Sequence, residues 1–205
     1  MTTASDRPLG LDTLAIREGL ARTQYNEHNE PLFLTSSFVI DNAAEAAARF
    51  MGDEEGFIYS RAGNPTVTSF QMRLAALEGA EACVATASGM SAIMATFMSL
   101  TRAGDHVVVA FELFGATLQL MGILQRFGVE VSFVPVDDAE AWRRAIRPNT
   151  KLLYLESPSN PLTKLADVRA IAAIARSAGI PFAVDNCFCS PALQKPLELG
   201  ADIVV

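Results

Sequence analysis

Four short stretches set reactive or ligand-binding residue types at the ends of apolar runs: Ser88-Gly89-Met90, Glu112-Leu113-Phe114-Gly115, Glu156-Ser157-Pro158-Ser159-Asn160-Pro161 and Asp185-Asn186-Cys187. In the first, an apolar run over residues 82–87 breaks at Ser88-Gly89 and resumes with helical character, which predicts a strand feeding a helix N-terminus. The first-turn N–H groups of such a helix have no intrahelical partners and lie at the positive end of its dipole, so they suit a phosphate. Gly89 permits close approach of the anion, although Ser88 can equally be an ordinary cap. Asp185 ends a buried run, where an ionised carboxylate is costly unless a cation or a donor meets it. A protonated pyridine nitrogen is one such partner, and bonding to its own loop is the other. Tyr59 and Arg61 lie two residues apart on an extended loop and can both bind phosphate, Arg61 as a planar fork and Tyr59 through its hydroxyl. A solvated surface pair is the alternative.

The elements that must position these residues follow from the hydrophobic pattern. Strands are expected at residues 107–111, 129–135, 152–155, 182–184 and from 203 onward. Helices are expected at 117–126, 139–146 and 166–178, the last stopped by Gly179. Apolar strands without polar alternation, separated by helices, imply an α/β fold with a mostly parallel sheet flanked by helices. In such sheets ligands sit at the carboxyl ends of the strands, where the four stretches lie. Ahead of them, residues 1–55 read as an N-terminal arm with short helices at 12–20 and 42–51, the second capped by Asp41. A helix begins with Asn64 as cap and Pro65 in its first turn, and stops at Gly79. The apolar segment 31–40 is extended and lies against a neighbouring subunit or its own domain.

Composition narrows the function. The chain has 205 residues, of which 50% are hydrophobic and 19% charged, enough for one large core. Its formal net charge of -7 attracts neither nucleic acid nor an anionic membrane. Residues 1–10 are polar and unlike a signal peptide, and the expected location is cytoplasmic. Cys83, Cys187 and Cys189 have no zinc spacing with His28 or His106, so neither metal nor disulfide is expected. There is no G-x-G-x-x-G and no G-x-x-x-x-G-K-[ST], which argues against a nucleotide-binding protein on the same layout.

The chain resembles the pyridoxal-phosphate enzymes of cysteine and methionine metabolism. The likeness rests on residues 31–38, on Tyr59-Ser60-Arg61-Ala62-Gly63-Asn64-Pro65-Thr66, on Ala87-Ser88-Gly89-Met90-Ser91-Ala92, on Leu113-Phe114-Gly115-Ala116-Thr117, on Glu156 to Pro161, on Val184-Asp185-Asn186, and on the stretches 191–197 and 200–205. It implies the large domain of the aspartate-aminotransferase type (fold type I), with residues 56–205 as the front part of the domain that binds pyridoxal 5'-phosphate. Ser88, Gly89 and Met90 would bind the cofactor phosphate, and Tyr59 with Arg61 would reach it from a second subunit of a homodimer or tetramer. Asp185 would pair with the ring nitrogen, Asn160 would contact the phenolic oxygen, and Phe114 would stack on the ring.

Many members carry Tyr where this chain has Phe114 and Thr where it has Cys187. Phe at that position resembles the branch that takes O-succinylhomoserine as its small amino-acid substrate, with sulfide replacing succinate to give homocysteine. Cystathionine γ-synthase or γ-lyase chemistry is the alternative, and a non-catalytic binding protein is the alternative from another class. In this resemblance the α and β protons are removed, succinate leaves the γ carbon, sulfide adds and the protons return. The Schiff-base lysine is expected just beyond Val205, because Lys151, Lys164 and Lys195 do not follow the required strand. The 205 residues are therefore expected to be the front part of a longer enzyme and inactive alone.

Overall fold

The computed structural model describes residues 9–205. The polar stretch read from residues 1–10 lies outside them up to residue 8. The chain divides into two compact units with the boundary between Ala85 and Thr86.

In the first unit, helix α1 (Leu11–Arg17) packs on α3 (Pro65–Glu78), while α2 (Ala43–Met51) lies between them in sequence. Gly19 makes this packing possible. Its φ is +70°, and a Cβ there would sit 2.5 Å from the Ser69 carbonyl oxygen. Arg73 on α3 donates to the Glu18 carbonyl at 2.9 Å and pairs with Glu30 at 2.7 Å, tying the polar stretch after α1 to the same helix. Helix α2 is capped by Asn42, one residue later than expected, because the Asn42 side chain accepts from the Glu45 N–H. Asn64 and Pro65 open α3, and Gly79 closes it at φ 73°. The extended segment 31–40 docks on its own chain: the Phe33 N–H donates to Thr66 Oγ1 at 2.9 Å, Asn64 Nδ2 donates to the Phe33 carbonyl at 3.0 Å, and Ser37 bridges Tyr59 antiparallel. Only the backbone and part of the side chains are used, since Leu34 and Val39 are more than nine-tenths exposed.

The second unit begins with α4 (Gly89–Leu100) and continues as β1 (His106–Ala110), α5 (Gly115–Arg126), β2 (Glu130–Val134), α6 (Ala139–Ala145), β3 (Thr150–Glu156), α7 (Val168–Ala178), β4 (Phe182–Asp185), the short α8 (Ser190–Leu193) and β5 (Ile203–Val204). The strands form one sheet in the order β2-β1-β3-β4-β5, and every pairing is parallel. β1, β3 and β4 are buried almost throughout, while the edge strand β2 is largely open. Their apolar runs therefore had no polar face to show. Phe97 of α4 meets Tyr154 of β3 at 5.0 Å between ring centres, and Trp142 of α6 donates to the Pro135 carbonyl at 3.1 Å.

The connections reverse direction at β1 and β3. From β1 the chain steps outward to β2, and from β3 it steps the opposite way to β4. Right-handed crossovers put the two connecting helices on opposite faces, as the separate packing of α4 with α5 and of α6 with α7 bears out. The loops leaving β1 and β3 thus part from each other, and the carboxyl ends of these two strands are where a ligand is expected in a sheet of this kind.

One expected element is absent. Residues 82–86 form no strand: Val84 is 81% exposed, and the Ala85 N–H donates to the Gln71 side chain rather than to a neighbouring strand. An extended segment becomes a strand only where another strand completes its ladder, and among the described residues none lies beside this one.

At the amino end of the sheet, His106 is fully buried, with Nδ1 2.8 Å from Thr150 Oγ1 and Nε2 2.9 Å from Ser132 Oγ. Burial lowers its pKa, and the nearby Arg147 adds to the effect against the opposing pull of Glu130. The unfolded chain binds a proton at this ring near pH 6.5 while the folded chain resists it. Stability from this site is fully present above about pH 6.5 and is lost as pH falls through that value toward the depressed folded one. Replacing His106 by Gln should flatten that part of the stability curve, which urea midpoints measured between pH 8 and 5 on both proteins will show.

Candidate functional site

Three of the four stretches stand where the reversal of the sheet predicts. Phe114 follows β1, Asn160 follows β3, and Asp185 ends β4. The fourth follows no strand but reaches the same edge through packing: Met90 Sδ lies 3.9 Å from the hydroxyl of Thr117, a buried residue in the first turn of α5. Ser88 caps α4 by accepting from the Ser91 N–H at 3.2 Å. The Gly89 and Met90 N–H groups lie in the first turn, where an α-helix supplies no acceptor, and a Cβ on Gly89 would project into open space. An anion approaching this helix end meets the first-turn N–H groups together with the hydroxyls of Ser88 and Ser91, which lie 2.9 Å apart.

Asp185 is 7% exposed. Its Oδ1 accepts from the Cys187 N–H at 3.0 Å and its Oδ2 from the Tyr154 hydroxyl at 3.3 Å. Burial pushes its pKa up, and the two donors pull it back. Tyr154 is fully buried, and burial together with the Asp185 charge holds its phenol well above the ordinary value, so it stays a donor. No cation answers the Asp185 charge among the described residues of this unit. One donor, the Cys187 N–H, comes from the loop of Asp185 itself, as the alternative reading requires, and the other, the Tyr154 hydroxyl, comes from β3.

The other members offer complementary surfaces. Phe114, in the loop after β1, is 44% exposed. Asn160, between the cis bonds Ser157–Pro158 and Asn160–Pro161, is half-buried, and its side-chain amide has no hydrogen-bond partner among the described residues. Backbone donors for an anion, an open aromatic face, an unpartnered amide and a buried carboxylate short of a cation suit a flat, phosphate-bearing, positively charged heteroaromatic ring.

Tyr59 and Arg61 belong to the first unit. The Arg61 guanidinium lies 5.5 Å from the centre of the Tyr59 ring, both residues are exposed, and no carboxylate pairs with Arg61 among the described residues.

Several residues without a role in the sequence reading hold the edge together. Glu156, at the end of β3, accepts from the Phe114 N–H at 2.7 Å. Burial pushes it up to about 7 against the pull of that N–H, and Asp185 adds to the rise. Gln194 donates from Nε2 to the Ser157 carbonyl and to Asn186 Oδ1, each at 2.9 Å. Ser157 and Ser159 accept the N–H groups of Ala166 and Lys164 and so shape the Asn160 loop. A carboxylate closing an apolar strand was the one visible signal for Glu156. Nothing in the spacing marked Gln194.

The lysines do not complete the site. Lys164 is paired with Glu112 at 2.8 Å, which raises its pKa, and Lys195 is paired with Glu198 at 3.5 Å. Lys151 is exposed near the amino end of β3.

Comparison with known proteins adds independent findings. A family model described as Cys/Met metabolism PLP-dependent enzyme matches residues 12–205. An O-succinylhomoserine sulfhydrylase of Pseudomonas aeruginosa is 57% identical over 195 residues, which cover 95% of this chain and 48% of the relative. An L-methionine gamma-lyase of Fusobacterium nucleatum subsp. polymorphum is 44% identical over 198 residues, which cover 96% of this chain and 50% of the relative. Among solved structures, a Campylobacter jejuni protein assigned as an O-acetylhomoserine (thiol)-lyase, with N'-pyridoxyl-lysine-5'-monophosphate, superposes with a TM-score of 0.92 at 32% identity over 96% of this chain and 49% of that one. The chain spans about half the length of the curated relatives it matches.

The Tyr154 hydroxyl is one of two donors on Asp185, so Tyr154→Phe should raise the Asp185 carboxyl pKa further and cost about 1 kcal/mol of stability. Infrared difference spectra against an Asp185→Asn reference will show a larger protonated-carboxyl band at neutral pH if the 3.3 Å contact contributes. An unchanged band will show that it does not.

Proposed function

Because the chain belongs to the Cys/Met metabolism family of PLP-dependent enzymes, we propose that the whole protein replaces the succinyl group of O-succinylhomoserine with sulfide to give homocysteine. The observation that carries this reading is the likeness to an O-succinylhomoserine sulfhydrylase, higher in identity than that to a methionine gamma-lyase. Phe114 at the ring-stacking position agrees with it.

In this reading the Gly89 and Met90 N–H groups and the Ser88 hydroxyl hold the cofactor phosphate at the start of α4. Tyr59 and Arg61 of a neighbouring subunit reach the same phosphate, which makes the active site a product of a homodimer or a higher homo-oligomer. Phe114 covers one face of the ring and keeps water from it. Asn160 donates to the phenolic oxygen. Asp185 accepts from the protonated ring nitrogen, and the Cys187 N–H and Tyr154 hydroxyl fix the carboxylate in place. Pyridoxal phosphate supplies a ring that takes up the electrons released when a substrate C–H bond breaks. Phe114 has no hydroxyl, so no proton is carried from that position. The catalytic lysine belongs to a segment outside these 205 residues, since Lys164 and Lys195 are engaged in ion pairs and Lys151 lies at the far end of the sheet. The domain boundary proposed at residue 55 sets the arm and its short helices apart from the cofactor-binding part.

Two measurements test the reading. Full-length protein given O-succinylhomoserine should form homocysteine with sulfide faster than it forms cystathionine with cysteine, and faster than it degrades methionine. The reverse order would assign it to another reaction of the family. Asp185→Asn should leave the fold intact and lower turnover by about a thousandfold or more, because a neutral amide does not hold the ring nitrogen protonated. Mixed with Arg61→Ala subunits, it should regain part of the activity if each site draws on two chains. No regain after confirmed subunit exchange would place Tyr59 and Arg61 elsewhere.

A further inference from the structure

Glu156 stands between Phe114 and Asp185 but has no part in the chemistry proposed above. It is the last residue of β3, is 6% exposed, and lies in register with Asp185 on the neighbouring strand. Its Oε2 crosses from the β3 loop to the β1 loop and accepts the Phe114 N–H at 2.7 Å, a distance typical of a charge-assisted bond. Phe114 is the cap residue of α5 and has no side-chain cap of its own. Glu156 therefore places a carboxylate at the positive end of that helix from a different strand. The Asn160 N–H adds a weaker pull on the same carboxylate.

The loops joined in this way leave the sheet at its point of reversal, where connections part toward opposite faces. Divergent loops need a tie if groups on both are to meet one flat ligand. A buried carboxylate spanning the gap is an expensive tie, because burying it costs more than a neutral amide would. A cap for α5 alone would be met more cheaply by a Ser or Asp at position 114 itself.

We infer that Glu156 is a positioning residue, which fixes the Phe114 ring and the Asn160 loop at a set spacing beside Asp185 so that all three address one bound ring. The inference rests on the cofactor reading given above.

The test uses full-length protein carrying Glu156→Gln or Glu156→Asp, compared with the parent in cofactor-free and pyridoxal-phosphate-loaded forms. In the cofactor-free form, Glu156→Gln should speed hydrogen exchange about tenfold in the peptide covering 112–118, with a smaller rise over 157–163 and none in β1 or β3. The same variant should bind pyridoxal phosphate about tenfold more weakly and alter the visible circular dichroism per bound cofactor. Glu156→Asp, which keeps the charge on a shorter arm, should fall between, and it carries the comparison if the Gln variant does not fold. Unchanged exchange over 112–118 overturns the inference. So does faster exchange with unchanged cofactor affinity and dichroism, because a cap with only a structural role would give that pattern. If the parent itself binds no pyridoxal phosphate, the cofactor reading falls and this inference with it. If the parent binds and the Glu156 variants match it, this inference alone falls.

Discussion

Burial of β1, β3 and β4 on both faces is the constraint from which the rest of the second unit follows. A parallel strand covered on both sides has no place along its length for a charged or ligand-binding side chain, so polar chemistry is pushed to its ends. The two ends then take different tasks. At the amino end, His106 with Thr150 and Ser132 satisfies its polar atoms internally. At the carboxyl end, Asp185, the Asn160 amide and the first-turn N–H groups of α4 keep capacity for a partner from outside the unit.

That unequal satisfaction is what makes one edge a candidate site. A structural carboxylate as buried as Asp185 would ordinarily be met by a cation or by a full set of donors. Asp185 has two donors and no cation among the described residues, and burial raises its pKa. Glu156 beside it is pushed up to about 7 as well. Two adjacent buried carboxylates of this kind store unfavourable electrostatics that a positively charged ligand relieves. The proposed ring nitrogen answers that demand, and the proposed phosphate answers the orphan donors of α4, so one ligand with charge of both signs satisfies opposite sides of the edge.

The first unit is built on other terms. Its segment 31–40 is held through backbone bonds to Asn64 and Thr66, while Leu34 and Val39 remain exposed. Arg61 rests on Tyr59 without a carboxylate partner among the described residues. An apolar arm fixed by its backbone with its side chains free, beside an unneutralised guanidinium, is consistent with the proposed sharing of sites between subunits.

Local rules acting within a few residues were legible in the amino-acid sequence. Caps and stops such as Asn64-Pro65, Ser88, Gly79 and Gly179, the unbroken apolar strands, and the placing of Phe114, Asn160 and Asp185 at strand ends all follow from helix-end satisfaction and from period, which the sequence carries directly. Pairing was not legible. The apolar run at 82–86 has the composition of a strand and is none, because a strand exists only through a neighbour that supplies its hydrogen bonds. The order β2-β1-β3-β4-β5, with its reversal, decided which strand ends face one another. It therefore decided that Glu156 should reach the Phe114 N–H forty-two residues away, that Tyr154 should donate to Asp185, and that Gln194 should brace the loop after β3. Residue type and spacing marked which groups had chemistry to offer. Only the tertiary fold decided which of them are neutralised by partners and which are left to meet a ligand, because burial and distance across strands are not properties of a linear chain.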